Sequence, residues 1–319
     1  MSGHSEGTLL KKLKESLSSE KSYENYVGRI NRLKDVTKSA LTDILVSPKT
    51  MYPKIKDFYP NVNTRKNMLV PILSIFRLNN LDKEAHKEWK RYFDDVNRQI
   101  ETDAKKNKIK EKQKEKYVST EEVNLKRMEM KKGDPHRDKI VTHQYVLLTL
   151  LCDITPKRSD LGRLRVYRGD DPGIKTENYI VLRDSKSGLE SYLVMNVYKT
   201  AKTFGRMEEE LADETVKVLK ESLRRYPRNY VFVGHNGQPY ETNAAYGKFV
   251  ERTFLELFGK ATGTSLWRHI FISERVKADA SEDQLEDIAN KMLHGVNQQR
   301  RYRFVDKEGK KACVCITNE

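Results

Sequence analysis

Residues 264–273 read TSLWRHIFIS. Trp267 and Phe271 fall one helical turn apart, so a helix is expected over 265–276 with both aromatics in a core. Arg268 and His269 sit between them. Alone they say little, because in a chain with 34% charged residues a lone arginine is ordinarily a surface residue. Their meaning comes from four other segments. TPKRSDL (155–161) holds Arg158, and VYKTAKTFG (197–205) holds Lys199 and Lys202. KMLHG (291–295) holds His294, and QQRRYRF (298–304) holds Tyr302, eight residues further on.

The chain around these segments is strongly basic. Its 319 residues carry 61 Lys+Arg against 46 Asp+Glu, a formal net charge of +15. That excess favours a polyanionic partner, nucleic acid or an acidic membrane surface. No apolar run approaches the roughly 20 residues that span a bilayer. No amphipathic helix with an exposed bulky apolar face supports a membrane-surface role. The opening MSGHSEGTLLKKLKESL lacks the long apolar region of a secretory signal, so an intracellular protein is expected, in nucleus, cytoplasm or nucleoid wherever its DNA lies. Three cysteines, with Cys313 and Cys315 near the end, make neither a disulfide scaffold nor a zinc site, and no metal or cofactor is expected.

The hydrophobic pattern divides the chain. Residues 1–20 are expected to be a flexible N-terminus. Residues 21–102 read as a basic helical bundle: Tyr23, Tyr26, Val27, Ile30 and Leu33 recur at helix spacing, as do Trp89, Tyr92, Phe93 and Val96. Asn63 or Thr64 is a candidate cap for the helix through Met68, Leu69, Ile72 and Phe76, which Pro71 kinks or delays. Arg65 and Lys66 belong to its polar face and are candidate DNA contacts. Residues 103–133 read as a basic linker around the lysine-rich KKNKIKEKQKEK (105–116), with Lys105 and Lys106 as further DNA contacts. The domain over 134–319 mixes helices (143–151, 211–223, 244–258, 265–276, 284–294) with strand-like NYIVLR (178–183), SYLVMNVY (191–198) and YVFV (230–233). The absence of a G-x-x-x-x-G-K-[ST] loop argues against a P-loop motor.

The order Arg158, Lys199, Arg268-His269, His294, Tyr302 resembles the tyrosine recombinase (phage integrase) family. That family has a T-G-L-R-like segment, a lysine hairpin of K-T-x-K pattern, an H-x-L-R-H motif and L-G-H-S about nine residues before the nucleophilic tyrosine. The resemblance covers nearly the whole second domain, and the helical bundle looks like that family's core-binding domain. The P-x-R-S-D variant and the lysine-rich connection look more like recombinases of large DNA viruses and eukaryotic mobile elements. The resemblance implies a mainly α protein with a small antiparallel β-sheet, built as a helical core-binding domain plus an α+β catalytic domain in a C-shaped clamp around double-stranded DNA. It also implies a protein monomeric in solution that forms a synaptic homotetramer. The apolar tail Ala312–Ile316, among the 17 residues after Tyr302, would dock on a neighbour.

The chemistry accounts for the residue types. Negative charge builds on the non-bridging oxygens as phosphorus becomes five-coordinate, and two guanidiniums, Arg158 and Arg268, can clamp them. Tyr302 supplies a phenol as nucleophile, and the 3′-phosphotyrosyl link conserves the bond energy without ATP. The leaving 5′-oxygen needs a proton, assigned to Lys199 at the first lysine of the pattern, with Lys202 behind it. His294 matches the residue that hydrogen-bonds the phosphate. Two departures stand out. Ser265 occupies the position of the family's first histidine, so it can bond phosphate but is a poor base near neutral pH. Asp160 stands two residues after Arg158 where a carboxylate is usual at three, close enough to orient it. His269 matches a residue that is normally structural. The competing readings are a type IB topoisomerase and a DNA-binding relative that has lost its chemistry.

Overall fold

The computed structural model describes residues 5–17, 19–106, 108–184, 188–277 and 280–304. It divides into two compact units, Met1–Lys106 and Asn107–Glu319.

The first unit is helical: α1 (Glu6–Ser16), α2 (Glu20–Thr37), α3 (Leu41–Val46), α4 (Pro48–Phe58), α5 (Val62–Asn79) and α6 (Lys83–Lys106). Their apolar stripes meet in one core that includes Ile30, Leu33, Leu69, Ile72 and Trp89, whose indole donates to the Leu45 carbonyl at 3.1 Å. Three details differ from expectation. Residues 6–16 form a packed helix, because Leu9 and Leu13 lie one turn apart and both are buried in that core. The cap of α5 is Asn61, whose side chain accepts from the Thr64 amide at 3.0 Å. The helix also begins at Val62 and continues through Pro71, so the proline does not delay its start. A proline cannot donate to the carbonyl four residues back, and that carbonyl, of Asn67, accepts from Arg29 at 3.4 Å instead.

The second unit contains α7 (Glu111–Lys114), α8 (Thr120–Lys132), α9 (Lys139–Asp153), a 3-10 turn Ser159–Arg163, β1 (Arg165–Arg168), β2 (Tyr179–Leu182), β3 (Tyr192–Met195), α10 (Ala201–Phe204), β4 (Met207–Glu210), α11 (Asp213–Arg225), α12 (Asn243–Phe258), α13 (Thr264–Arg275), α14 (Glu282–Lys291) and α15 (Val296–Tyr302). The part of 103–133 beyond Lys116, expected as linker, packs here. Tyr117, Val118 and Val123 lie in the main core, and Ser119 and Glu122 form a reciprocal capping box that starts α8. Helix α9 is buried from Thr142 to Cys152 and forms the centre, as its nearly uninterrupted apolar sequence requires.

The chain is thus mainly α-helical with a small sheet of order β1-β2-β3-β4. The sheet is mixed: β2-β3-β4 are antiparallel, whereas β1 and β2 run parallel. Strand alternation sends Ile180 and Leu182 into the main core and Tyr179 and Val181 into a smaller cluster on the other face. YVFV is not a strand among the described residues; it makes only a bridge from Tyr230 to Arg165. Residues 305–319, with the candidate tail, Cys313 and Cys315, lie outside the described residues.

Candidate active site

Helix α13 carries Arg268 inward. Its side chain is 1% exposed and held at three points. Nη1 donates to the Pro156 carbonyl at 2.9 Å, and Nη2 donates to the Met292 carbonyl at 3.1 Å and to His294 Nδ1 at 2.7 Å. Burial weighs against its charge, and Arg158 adds to this, while the Tyr302 phenol and Asp160 favour the charge. Its Nε–H has no acceptor among the described residues.

His294 follows the end of α14. The His294 amide donates to the Ala289 carbonyl at 3.0 Å and the Leu293 amide to the Asn290 carbonyl at 2.9 Å, the Schellman pattern. Leu293 takes the left-handed position, φ 61°, usually filled by glycine. That backbone costs a leucine about 1–2 kcal/mol, offset by burial of its side chain in the main core. The turn sends the Met292 carbonyl and the His294 ring to Arg268, and the Leu293 carbonyl to the Thr200 hydroxyl at 2.9 Å.

The contact with Arg268 fixes the histidine's tautomer. Arginine only donates, so Nδ1 must accept and the proton of the neutral ring sits on Nε2. Burial, then the charges of Arg268 and Arg158, push the His294 pKa down to about 3, so the ring is neutral at physiological pH. His294 is 2% exposed, and its Nε2–H, close to the Gln299 amide, completes no hydrogen bond among the described residues.

Tyr302 ends α15 and lies across this pair. Its ring stacks on His294 with centroids 5.3 Å apart and sits 5.2 Å from the Arg268 guanidinium carbon. His269 holds it from behind: Nδ1 donates to the Tyr302 carbonyl at 2.8 Å, and the ring packs edge-on at 4.5 Å. The Ser273 hydroxyl then accepts from the Phe304 amide at 2.8 Å, fixing the chain just past the tyrosine. His269 is therefore a support for the tyrosine's backbone.

Arg158 caps the 3-10 turn, half-buried, with its charge acting on both Arg268 and His294. Gly162 seats that turn on α12, because a Cβ there would stand 2.6 Å from the Tyr246 Cβ. Asp160 lies in the field of both arginines; burial raises its pKa, and its Oδ2 completes no hydrogen bond among the described residues.

The remaining candidates are placed less tightly. Ser265 is exposed on the first turn of α13, one turn before Arg268. Lys199 and Lys202 are exposed in the connection between β3 and β4, Lys199 in a turn and Lys202 on α10. Among the described residues neither is hydrogen-bonded to Arg158 or Arg268, but Thr200, next to Lys199, docks on Leu293. In the first unit Lys66 lies 5.7 Å over the Phe93 ring. Arg65, expected on an open polar face, is 6% exposed and bonded through Nη2 to Gln99 at 3.3 Å. The helical pattern puts Arg65 three residues before Met68, on the buried stripe of α5. The side chains of Lys105 and Lys106 lie outside the described residues.

The structure thus brings Arg158, Arg268, His294 and Tyr302 together, with Asp160 and His269 beside them. Sequence reasoning missed the supporting carbonyls of Pro156 and Met292, the left-handed Leu293 and the Thr200 contact. No family model and no curated protein matches the chain. Among solved structures it is similar to a crystal structure of XerA recombinase, at 11% identity over 96% of this chain and 96% of that one, with a TM-score of 0.41.

Proposed function

We propose that this protein is a site-specific DNA recombinase that cuts and rejoins strands through a 3′-phosphotyrosyl intermediate at Tyr302. One observation carries the reading. Two buried donors, Arg268 Nε–H and His294 Nε2–H, lack acceptors among the described residues, and both lie beside a tyrosine ring. Buried donors are normally satisfied, and the oxygens of a phosphodiester would satisfy both while meeting the Arg158 charge.

The reaction follows from the groups present. The Tyr302 phenol gives its proton to solvent, favoured by the cationic surroundings of Arg158 and Arg268, and its oxygen attacks phosphorus as the 5′-oxygen departs. Arg158 and Arg268 neutralise the charge that builds on the non-bridging oxygens, and the His294 Nε2–H donates to one of them. Lys199, on the loop docked at Leu293, gives the 5′-oxygen its proton; Lys202 is the second choice. A 5′-hydroxyl from another strand then attacks the phosphotyrosine and regenerates the phenol. Because the Tyr302 ring covers Arg268 and His294, it must swing aside as the phosphate seats. Ser265 at the exposed start of α13 adds a hydrogen bond to phosphate. Lys66, Lys105, Lys106 and Lys202 add backbone contacts whose strength falls with salt. Synapsis of four protomers on paired sites completes the reading, with the protein acting wherever its target DNA lies.

A duplex nicked just beyond the scissile phosphate tests the reading, because loss of the short strand traps the covalent complex. Such a trap built from the protein's own genomic neighbourhood should accumulate a 3′-linked adduct. Binding without any adduct would refute the enzymatic reading, and one copy per site with efficient plasmid relaxation would replace it with a topoisomerase.

A further inference from the structure

We infer that Lys157 is a positioning residue for strand cleavage: with Glu209 and Thr155 it forms a charged latch that registers the loop carrying Lys199 and the turn carrying His294 against the segment carrying Arg158. This deepens the cleavage reading above and rests on it.

The Lys157 side chain has no exposed surface. An ammonium has three protons to place, and three acceptors surround this one. They are the Thr155 hydroxyl at 2.5 Å, Glu209 Oε2 at 2.5 Å and the Lys291 carbonyl. Glu209 is closed in from the other side by the Thr155 amide at 2.8 Å and the Thr155 hydroxyl at 3.0 Å. The network therefore joins residues 155–157, strand β4 and the last residue of α14.

Those points adjoin the reacting groups. Lys157 stands between Arg158 and Pro156, whose carbonyl holds Arg268. Lys291 precedes Met292, whose carbonyl also holds Arg268, and lies three residues before His294. Glu209 pairs with Leu193 across β3–β4, at the base of the loop that carries Lys199. A buried ion pair is seldom the most stable filling for such a space, since apolar side chains of similar volume do as well or better. What charge adds is direction: the three donors tie the lysine's own segment, through Thr155, to two others, β4 and the end of α14.

The latch is also sensitive to pH. Burial lowers the Lys157 pKa to about 8, with Arg268 from α13 and Lys291 from α14 adding to the effect and Glu209 from β4 opposing it. Above that pH the amine loses its charge and the carboxylate its counter-ion.

Single-turnover adduct formation on the nicked trap, followed from about pH 6 to 9, tests this in the parent, Lys157→Met and Glu209→Gln. Duplex binding and circular-dichroism melting are measured alongside. Methionine keeps the stem of the lysine without its charge. Lys157→Met should bind DNA within about threefold of the parent and form adduct about thirtyfold more slowly, as small displacements of reacting groups do. The parent's rate should fall above about pH 8. That fall should be absent in Lys157→Met and move to lower pH in Glu209→Gln, where no carboxylate retains the proton. An active parent whose Lys157→Met variant keeps its rate and pH profile would overturn the latch alone. If Lys157→Met does not fold, an unshifted fall in Glu209→Gln overturns it. A parent that binds but forms no adduct overturns the cleavage reading and the latch with it.

Discussion

Deleting each arginine of the clamp should have the same chemical effect and different structural effects. In the proposed reaction Arg158→Ala and Arg268→Ala would each remove one charged donor from the developing pentacoordinate phosphorus, which typically costs about 3–4 kcal/mol, or 10²–10³-fold in rate. Their stability costs differ because their surroundings do. Arg268 makes three hydrogen bonds in a site 1% exposed to solvent, and its loss strands the carbonyls of Pro156 and Met292 and the Nδ1 of His294. Breaking a buried charged network of this kind costs about 3–5 kcal/mol. Arg158 is half-buried, makes no side-chain hydrogen bond among the described residues, and repels Arg268. Its removal should shift stability by about 1 kcal/mol or less. Urea unfolding gives the stabilities, and single-turnover cleavage of the nicked trap below each variant's melting range gives the rates. A folded Arg158→Ala that cleaves within about threefold of the parent would sink the clamp. Equal stability losses in the two variants would show that Arg268 is not held as described.

Lys199→Ala should be rescued when sulfur replaces the 5′-bridging oxygen, since sulfur leaves without a proton; rescue of Lys202→Ala alone would move the acid to α10. Ser265→Ala should lower cleavage modestly with an unchanged pH profile, whereas a loss as severe as that of Arg158→Ala would give the exposed serine a larger part. His143 is buried beside Arg228 and Lys139, with its pKa lowered to about 3. Below the ordinary histidine value of about 6.5 the unfolded chain therefore binds a proton that the folded one refuses, and stability falls as pH drops, by about 2 kcal/mol at pH 5. His143→Gln should lose correspondingly less between pH 7 and 5 in urea melts, and an identical loss would contradict a neutral buried ring.

The elements with strong periodicity were legible: the stripes of α2, α5 and α6, the apolar run of α9, and the cores of β2 and β3. Elements held by tertiary context were not. Strands β1 and β4 are short and polar, RVYR and MEEE, and exist because β2 and β3 offer them edges. YVFV has strand composition but finds only a single bridge. Residues 1–20, expected to be flexible, include α1, whose only buried residues are Leu9 and Leu13. At the site, the family resemblance grouped Arg158, Arg268, His294 and Tyr302, and the four lie near one another in the structure. Of their support, only His269 was legible, as a histidine expected to be structural; the carbonyls of Pro156 and Met292 and the left-handed Leu293 are invisible to any pattern of residue types, because backbone groups carry them. Lys157 was hidden for a related reason: a single lysine in a lysine-rich chain gives no sign that its side chain is fully buried.

The central claim is that the Tyr302 phenol attacks DNA. The most direct measurement traps the adduct on nicked duplex in EDTA-containing buffer, maps the modified residue by mass spectrometry after digestion, and repeats the reaction with Tyr302→Phe. The expected result is a 3′-phosphate ester on Tyr302, with the Phe variant binding the duplex as the parent does and forming no adduct. A 3′-linked adduct from Tyr302→Phe at the parent's rate, or a modified residue other than Tyr302, would contradict it.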